Sequence, residues 1–362
     1  MRTCTRCIMN DSADPTITFD ENGYCNYCTD ALAKINTTAY FPNEEGGKRL
    51  HALLEQVKKS GEGKPYDCIM GISGGLDSAY LAYLGCTWGL RILAVHVDDG
   101  YDTDVSKENV RKLVEKAGIK MITVTPDAEQ YNALLLAYMR AGVPNLAVPQ
   151  DNILLKCLFD AVKEYKIPYF LSGDNFALEC VLQRGNTYQS MDVVNIRDIH
   201  KRFGTQPINK LKFISAYEKY YSTRVAGMHL EKPLNYIDYN RERAFRELKE
   251  FCGFEYYGRK HLENKFTAFL QLRWLPEKFG VDKRLSHLSS MIVPGQMTRE
   301  EALAEAARPI CEGVPMDEYV AEIKATMHLS DTEFEEIMRA PTHQHTEYKT
   351  DRLDAALRSV LH

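Results

Sequence analysis

A chain of 362 residues is too long for one small core, so two or three structural units are expected. Hydrophobic residues make up 44% and charged residues 26%, close to globular averages, and the formal net charge is −5. That balance excludes a global basic field for nucleic acid, though not a local basic patch. The absence of a charged-then-apolar leader and of any membrane-length apolar run leads to the expectation of a cytoplasmic protein with no membrane partner.

Residues 1–45 are polar and rich in turn formers, and cannot bury a core without a staple. The pairs Cys4-x-x-Cys7 and Cys25-x-x-Cys28 supply one, with tetrahedral metal-ligand spacing. Four thiolates leave no open coordination position, so a structural zinc is expected, with Tyr24 and Tyr27 placed to cover it. A redox pair or an iron–sulfur site is the rival reading. The other six of the 10 cysteines are scattered singly, as buried thiols would be.

Gly46, Gly47, Gly61, Gly63 and Pro65 read as a linker bracketing a helix over 50–59. Strands and helices then alternate. Strands are expected at 67–72, 91–97, 120–125 and 167–171. Helices are expected at 77–84 with a stop at Gly85, at a stripe through Val110, Leu113, Val114 and Ala117 with a stop at Gly118, and at 152–165. Such repeats imply a parallel sheet with helices on both faces and ligands at the carboxyl ends of the strands. After about residue 185 the strand signals fade. Ala244, Phe245, Leu248, Phe251 and Cys252 form one helical stripe closed by Gly253. Thr298 with Glu301, and Ser330 with Glu333, read as capping boxes. The expected organisation is a Cys4 knuckle at 1–45, an α/β domain at 46–240 and a mainly helical region at 241–362, with no internal repeat.

The most informative stretch is Gly71-Ile72-Ser73-Gly74-Gly75-Leu76-Asp77-Ser78, between a strand and a helix. Glycines let the backbone approach a ligand, and free N–H groups at the helix start favour an anion. Ser73 and Ser78 add hydroxyl donors. Asp77 belongs in an anion site only if a cation joins it, and Mg²⁺ bridging carboxylate and phosphate is the natural one. The Gly-Lys-Ser/Thr ending of a Walker A loop is missing. The competing reading is a plain glycine turn.

Ser73-Gly74-Gly75-Leu76-Asp77-Ser78 resembles the S-G-G-x-D-S motif of the PP-loop ATP pyrophosphatases. The resemblance implies an α/β, parallel-sheet PP-loop domain of the adenine nucleotide alpha hydrolase-like, Rossmann-like kind. It also implies cleavage of ATP to AMP and pyrophosphate, with transfer of AMP to a carbonyl oxygen. Gly71, Ser73, Gly74, Gly75, Asp77 and Ser78 would hold the phosphates. Asp98, in Val95-His96-Val97-Asp98-Asp99-Gly100, would contact ribose or adenine. In Ser172-Gly173-Asp174-Asn175, Gly173 would line the ATP site and Asp174 would join Asp77 on Mg²⁺, with Glu179 behind. Acidic turn residues after a strand are the alternative for Asp98 and Asp174.

The layout of the chain resembles the N-acetyl sugar amidotransferases of the WbpG/PseA type. The likeness rests on the two cysteine pairs, the loop, Ser172–Asn175 and the late segment Gly258-Arg259-Lys260-His261, residues 278–284, His287–Ser290 and residues 295–302. It implies conversion of an N-acetyl group on a bacterial surface-glycan sugar, of O-antigen or flagellin type, into an acetamidino group. The substrate would be a free or nucleotide-activated N-acetyl sugar. Arg259, Lys260, Lys265, Arg273, Lys283 and Arg284 would offer charge to phosphates, with Lys260 and Lys265 the first choices beside Asp77 and Ser78 as catalytic residues. A solvated helical face is the alternative for most of the six. His261 and His287 are as readily structural as catalytic.

No glutaminase nucleophile is evident: residue 2 is Arg2, and Cys86 is misplaced in Gly85-Cys86-Thr87-Trp88-Gly89. The resemblance therefore implies partner proteins, a HisH-like glutaminase and a HisF-like ammonia channel. The runner-up is tRNA 2-thiolation, since some PP-loop thiolases carry a paired-cysteine knuckle. Thiolases usually need a second C-x-x-C, and this chain has none after Cys28. A nucleotide-binding module without chemistry is the third reading, and Asp77 and Ser78 speak against it.

Overall fold

In the computed structural model, which describes residues 1–12 and 14–351, five strands form one sheet. These are β1 (Cys68–Gly71), β2 (Ile92–Val97), β3 (Lys120–Val124), β4 (Tyr169–Leu171) and β5 (His229–Glu231). Every pairing is parallel and the order is β3-β2-β1-β4-β5. The chain winds outward from β1 to β3, then restarts on the other side at β4. That reversal leaves a crevice beyond the carboxyl ends of β1 and β4, where ligands bind in open α/β sheets. The parallel α/β sheet expected from the strand–helix alternation, of the Rossmann-like class that the resemblance implies, is what the chain adopts.

The strands are apolar on both faces because helices cover both. Met70, Ile92 and Ala94 face one layer, built from α2 (Glu44–Ser60), α3 (Leu76–Thr87), α4 (Asp104–Ala117) and a later helix, Arg241–Cys252. Ile69, Leu93 and Val95 point the other way, onto Leu158, Phe159 and Val162. Those residues sit on α6 (Val148–Tyr165), which follows α5 (Ala128–Ala141); α1 (Asn26–Leu32) lies in the cysteine segment. Beyond β4 come α7 (Phe176–Glu179), α8 (Val193–Phe203), α9 (Ala216–Arg224) and α10, the Arg241–Cys252 helix.

The C-terminal region is helical, as expected. α11 (Lys265–Phe269) continues through a π-helical turn at Leu270–Trp274 into α12 (Leu275–Phe279). α13 (Arg284–Ile292), α14 (Arg299–Ala307), α15 (Met316–Thr326) and α16 (Asp331–Arg339) follow. Both capping boxes form, at Thr298–Glu301 and Ser330–Glu333. No helix among the described residues is long and apolar enough to cross a membrane.

Three local expectations need correction, and two elements were not expected. Gly85 does not stop α3 but lies inside it, where a Cβ would come 2.8 Å from Met70 and Ile92; it lets the helix press on the sheet. Gly46 and Gly47 are not linker residues but belong to the first turn of α2, which Asn43 caps at Gly46 N. α6 starts at Val148, four residues earlier than expected. α5 and β5 carried no sequence signal: α5 is apolar nearly all round, with no stripe to reveal its period, and β5 has three residues. The buried side of α5 joins α11, α12, α15 and α16 in one core through Leu134, Tyr138, Phe266, Phe269, Trp274 and Phe334.

Candidate active site

The loop after β1 is built as the glycine–serine pattern requires. Gly74 has φ 81°, and a Cβ there would stand 2.7 Å from the Ser106 carbonyl, so α4 leaves room only for glycine. Ser73 N donates to Ser78 Oγ at 3.3 Å, Gly75 N donates to Ser73 Oγ at 3.2 Å, and the two serine hydroxyls lie 3.2 Å apart. These bonds staple the turn to the first turn of α3. Gly173, in the turn after β4, backs onto the same point: a Cβ would come 2.9 Å from Ser78 N. His96 ties the end of β2 to the loop, with Nδ1 2.8 Å from Ile72 O and Nε2 3.1 Å from Asp102.

Over this loop lies a cleft of about 480 Å³, lined by Gly71, Ser73, Gly75, Asp77, Ser78, Gly173 and Asp174 among others. Lys260, brought in by the segment before α11, sits against its floor. Its Nζ is 2.8 Å from Asp77 Oδ2 and 3.0 Å from Glu179 Oε1. Tyr239 donates its hydroxyl to Asp77 Oδ1. Burial raises the Asp77 carboxyl, but the Lys260 ammonium and the two hydrogen bonds outweigh it, and the net position is below the usual range. Burial likewise opposes the charge on Lys260, yet the two carboxylates hold its pKa above that of a free lysine. Glu179 is pushed up by burial, which Lys260 offsets in part. Asp77, Lys260 and Glu179 thus form one charge cluster at the mouth of the Ser73–Ser78 turn.

The structure brings Asp77, Ser78, Lys260, Gly173 and Asp174 to one cleft, with Asp174 also 3.1 Å from Lys232. It does not bring Lys265 or Asp98 there. Lys265 pairs with Glu322 and lies over the Tyr319 ring. Asp98 accepts a bond from Gly100 N at 3.1 Å, closing its own turn. Its neighbour Asp99 faces the cleft instead, held by Tyr131 OH at 3.0 Å, Gln150 Nε2 at 2.6 Å and Asn264 Nδ2 at 3.1 Å. Of the other basic residues, Arg259 bonds the carbonyls of Pro309, Ile310 and Glu312, and Arg284 those of Glu305, Ala306 and Arg308. Arg273 pairs with Glu277 and Asp317. Lys283 lines the cleft.

Three more cleft residues had no distinctive motif. Glu263 has one buried carboxyl oxygen without a hydrogen-bond partner, and burial pushes its pKa up to about 7. Burial does the same for Asp151, helped by Asp174. Tyr257 meets the start of α3, where its hydroxyl oxygen accepts from Leu76 N at 2.9 Å. His261, at φ 63°, is pushed down to about 3 by burial and by Lys260, so its ring is neutral.

The four N-terminal cysteines converge. All are fully buried, with Cys4 Sγ 3.7 Å from Cys28 Sγ and Cys7 Sγ 3.6 Å from Cys25 Sγ. Ligands about 2.3 Å from a tetrahedral centre lie roughly 3.8 Å apart, so this set fits a metal ion. Backbone N–H groups of Arg6 and Cys7 point at Cys4 Sγ, at 3.4 Å each. Tyr27 is buried beside the cluster, and Tyr24 stacks under Arg6. Arg299 of α14 donates to Cys7 O at 3.1 Å and Cys4 O at 3.2 Å, and Ser289 of α13 accepts from Ile8 N at 3.3 Å. The knuckle is thereby fastened to α13 and α14.

No curated protein matches the chain. Solved structures similar to it include the NMN synthetase from Francisella tularensis, 13% identical over 59% of this chain and 98% of that one, with TM-score 0.29. Another is the NH3-dependent NAD synthetase from Campylobacter jejuni subsp. jejuni NCTC 11168 in complex with the nitrate ion, 16% identical over 57% of this chain and 83% of that one, with TM-score 0.31. Likenesses at this level carry no argument, and the fold rests on the sheet order itself. Residues 263–360 match the family described as LPS biosynthesis protein WbpG-like, C-terminal domain. Glu263, Asn264, Thr267, Gln271 and Lys283 of the cleft fall within that match. The C-terminal region of the chain is thus similar to a WbpG-like C-terminal domain.

Proposed function

We propose that the chain is the synthetase subunit of an ATP-dependent amidotransferase that turns an N-acetyl group of a bacterial surface-glycan sugar into an acetamidino group. The observation that carries this reading is the joining of two parts in one cleft: a phosphate turn with Asp77–Lys260–Glu179, and a wall from the WbpG-like region. In the reaction, the amide oxygen attacks the α-phosphate of ATP and pyrophosphate leaves. Ammonia then adds to the amide carbon, and AMP departs with the former amide oxygen. An amide oxygen is a poor leaving group, and attaching AMP makes it a good one.

The chain's own groups suit these steps. Ser73, Ser78 and the N–H groups at the start of α3 would hold the β,γ-phosphates, and Lys260 would balance the charge of the departing pyrophosphate. Among the described residues the cysteine set is the only group of metal-ligating side chains close enough to hold an ion unaided. Mg²⁺ would therefore depend on phosphate oxygens plus Asp77 or Asp174, as Mg²⁺ sites commonly do. It would supply charge neutralisation of the phosphates. The cysteine set suits structural zinc. Ammonia would come from a HisH-like glutaminase through a HisF-like protein, in the cytoplasm, where O-antigen or flagellin-glycan sugars are activated.

The test is incubation with ATP, ammonium and activated diacetamido sugars labelled with ¹⁸O in the acetamido group. The reading expects label in AMP and a product lighter than the unlabelled sugar by about one mass unit, the oxygen-for-NH exchange of such a displacement. Sulfur transfer to tRNA, or AMP without label, would refute it.

A further inference from the structure

Tyr27 lies between two of the four cysteines, in Cys25-Asn26-Tyr27-Cys28, so a metal ion held by that set would fix the turn that carries it. The side chain is buried, and its hydroxyl reaches beyond the knuckle. Tyr27 OH donates to Asp14 Oδ2 at 2.5 Å and accepts from the backbone N–H of Arg184 at 3.0 Å. Asp14, itself buried, is locked by Thr16 N at 2.9 Å and Thr16 Oγ1 at 2.8 Å. Gly185 closes the contact from the other side: a Cβ there would stand 2.7 Å from Asp14 Oδ1 and 3.0 Å from Pro15 Cδ. The knuckle and the segment 183–187 thus meet through backbone and buried polar atoms, with no room for a side chain at Gly185.

What this contact holds is cleft wall. Arg184–Asn186 form a 3₁₀ turn, closed by Thr187 Oγ1 donating to Gln183 O at 3.0 Å, and Asn186 and Thr187 line the cleft. The segment is anchored before the turn by Val181 N on Ser290 Oγ at 3.0 Å, and after it by Asn145 Nδ2 on Tyr188 O at 3.2 Å. Gln183 adds no bond from its buried side-chain oxygen, which has no hydrogen-bond partner among the described residues. The Arg184–Asp30 ion pair, at 2.8 Å, is exposed and contributes little. The Ser73–Ser78 turn, by contrast, has supports of its own in its serine hydroxyls, Tyr257 and Gly173. Resting on the amidotransferase reading, we infer that Tyr27 is a positioning residue: its hydroxyl carries the order of the cysteine knuckle into residues 183–187, and so sets where Asn186 and Thr187 meet the sugar. The knuckle then governs sugar affinity and leaves the nucleotide end of the cleft alone.

Hydrogen–deuterium exchange and AMP-release kinetics on the full, zinc-loaded chain test this with three variants. Tyr27→Phe is expected to keep its zinc, to let the amides of residues 183–187 exchange about tenfold faster, and to raise KM for an activated diacetamido sugar about fivefold or more. The kcat and the KM for ATP should stay within about twofold of the parent. Gly185→Ala leaves every knuckle side chain in place and should act alike, because its methyl pushes the turn off Asp14. Arg184→Ala keeps the backbone N–H and should match the parent. Parent-like exchange and sugar KM in both Y27F and G185A overturn the inference. So does a uniform loss, in which KM for ATP rises as far as that for the sugar, or an R184A that behaves as Y27F does. Should Y27F shed its zinc, G185A alone decides. If the parent releases no AMP with any sugar, the amidotransferase reading fails, and exchange at residues 183–187 still decides the positioning.

Discussion

Lys260 touches two carboxylates at once and is the residue whose loss should be felt most. Lys260→Met would leave Asp77 and Glu179 facing each other without a cation. Removing one member of a buried ionic cluster costs about 3 kcal/mol or more, measurable by urea unfolding. AMP formation should fall by roughly 100-fold or more, the usual loss when one preorganised charge is removed. Asp77→Asn keeps the shape and the Tyr239 contact but not the charge; sugar-dependent AMP release should fall on a similar scale, about 100-fold, and full turnover would refute the role given to the loop. Lys283 makes a different prediction. Burial pushes it down to about 8, with His261 and His287 nearby and Asp14 as its counter-charge. An unfolded lysine titrates near about 10.4. Between those values the unfolded chain binds more protons, so this group makes stability rise as pH increases from about 8 to about 10. Below that window the penalty is fully present. The melting-temperature advantage of K283M should therefore shrink across it. At this scale Lys260 was legible in the sequence, because its segment carries the family likeness. Asp99 rather than Asp98 faces the cleft, a difference the sequence hides because two adjacent acids after a strand look alike until the turn is known.

Among the elements, the turn between β1 and α3 was the most legible, since its glycines answer to visible constraints. Gly74→Ala would place a methyl against the Ser106 carbonyl at a left-handed φ and should cost about 1–3 kcal/mol, with ATP affinity falling alongside stability. The knuckle was equally plain, because paired cysteines at fixed spacing have few uses. One zinc per chain is expected by elemental analysis. Cys4→Ser should release it and raise proteolysis near residues 1–30, while Arg299 loses the ordered carbonyls it now holds. α5 was not legible. Its residues from Tyr131 to Met139 are all buried, so no polar face marks the helical period. Gly85 misled for the opposite reason: a glycine that ends helices elsewhere here admits the side chains of the sheet beneath it.

For the molecule as a whole, the sheet order places the Ser73–Ser78 turn at the reversal between β1 and β4, and the strand–helix alternation was enough to expect ligands at the carboxyl ends of the strands. The far wall was foreseen only through family likeness, because a helical region without a repeat or a ligand motif does not say which face it presents. If ammonia is delivered by separate proteins, the purified chain should turn over with ammonium and ATP but not with glutamine and ATP. Glutamine-driven activity of the chain alone would contradict that division of labour. One consequence lies in the shared core of α5 with α11, α12, α15 and α16. A fragment ending before Glu263 would keep the sheet yet strip Leu134 and Tyr138 of their covering, and should aggregate rather than hydrolyse ATP. The sheet half and the helical half can then be neither expressed apart nor exchanged between relatives at that seam, so evolution would have had to alter specificity by replacing side chains in place.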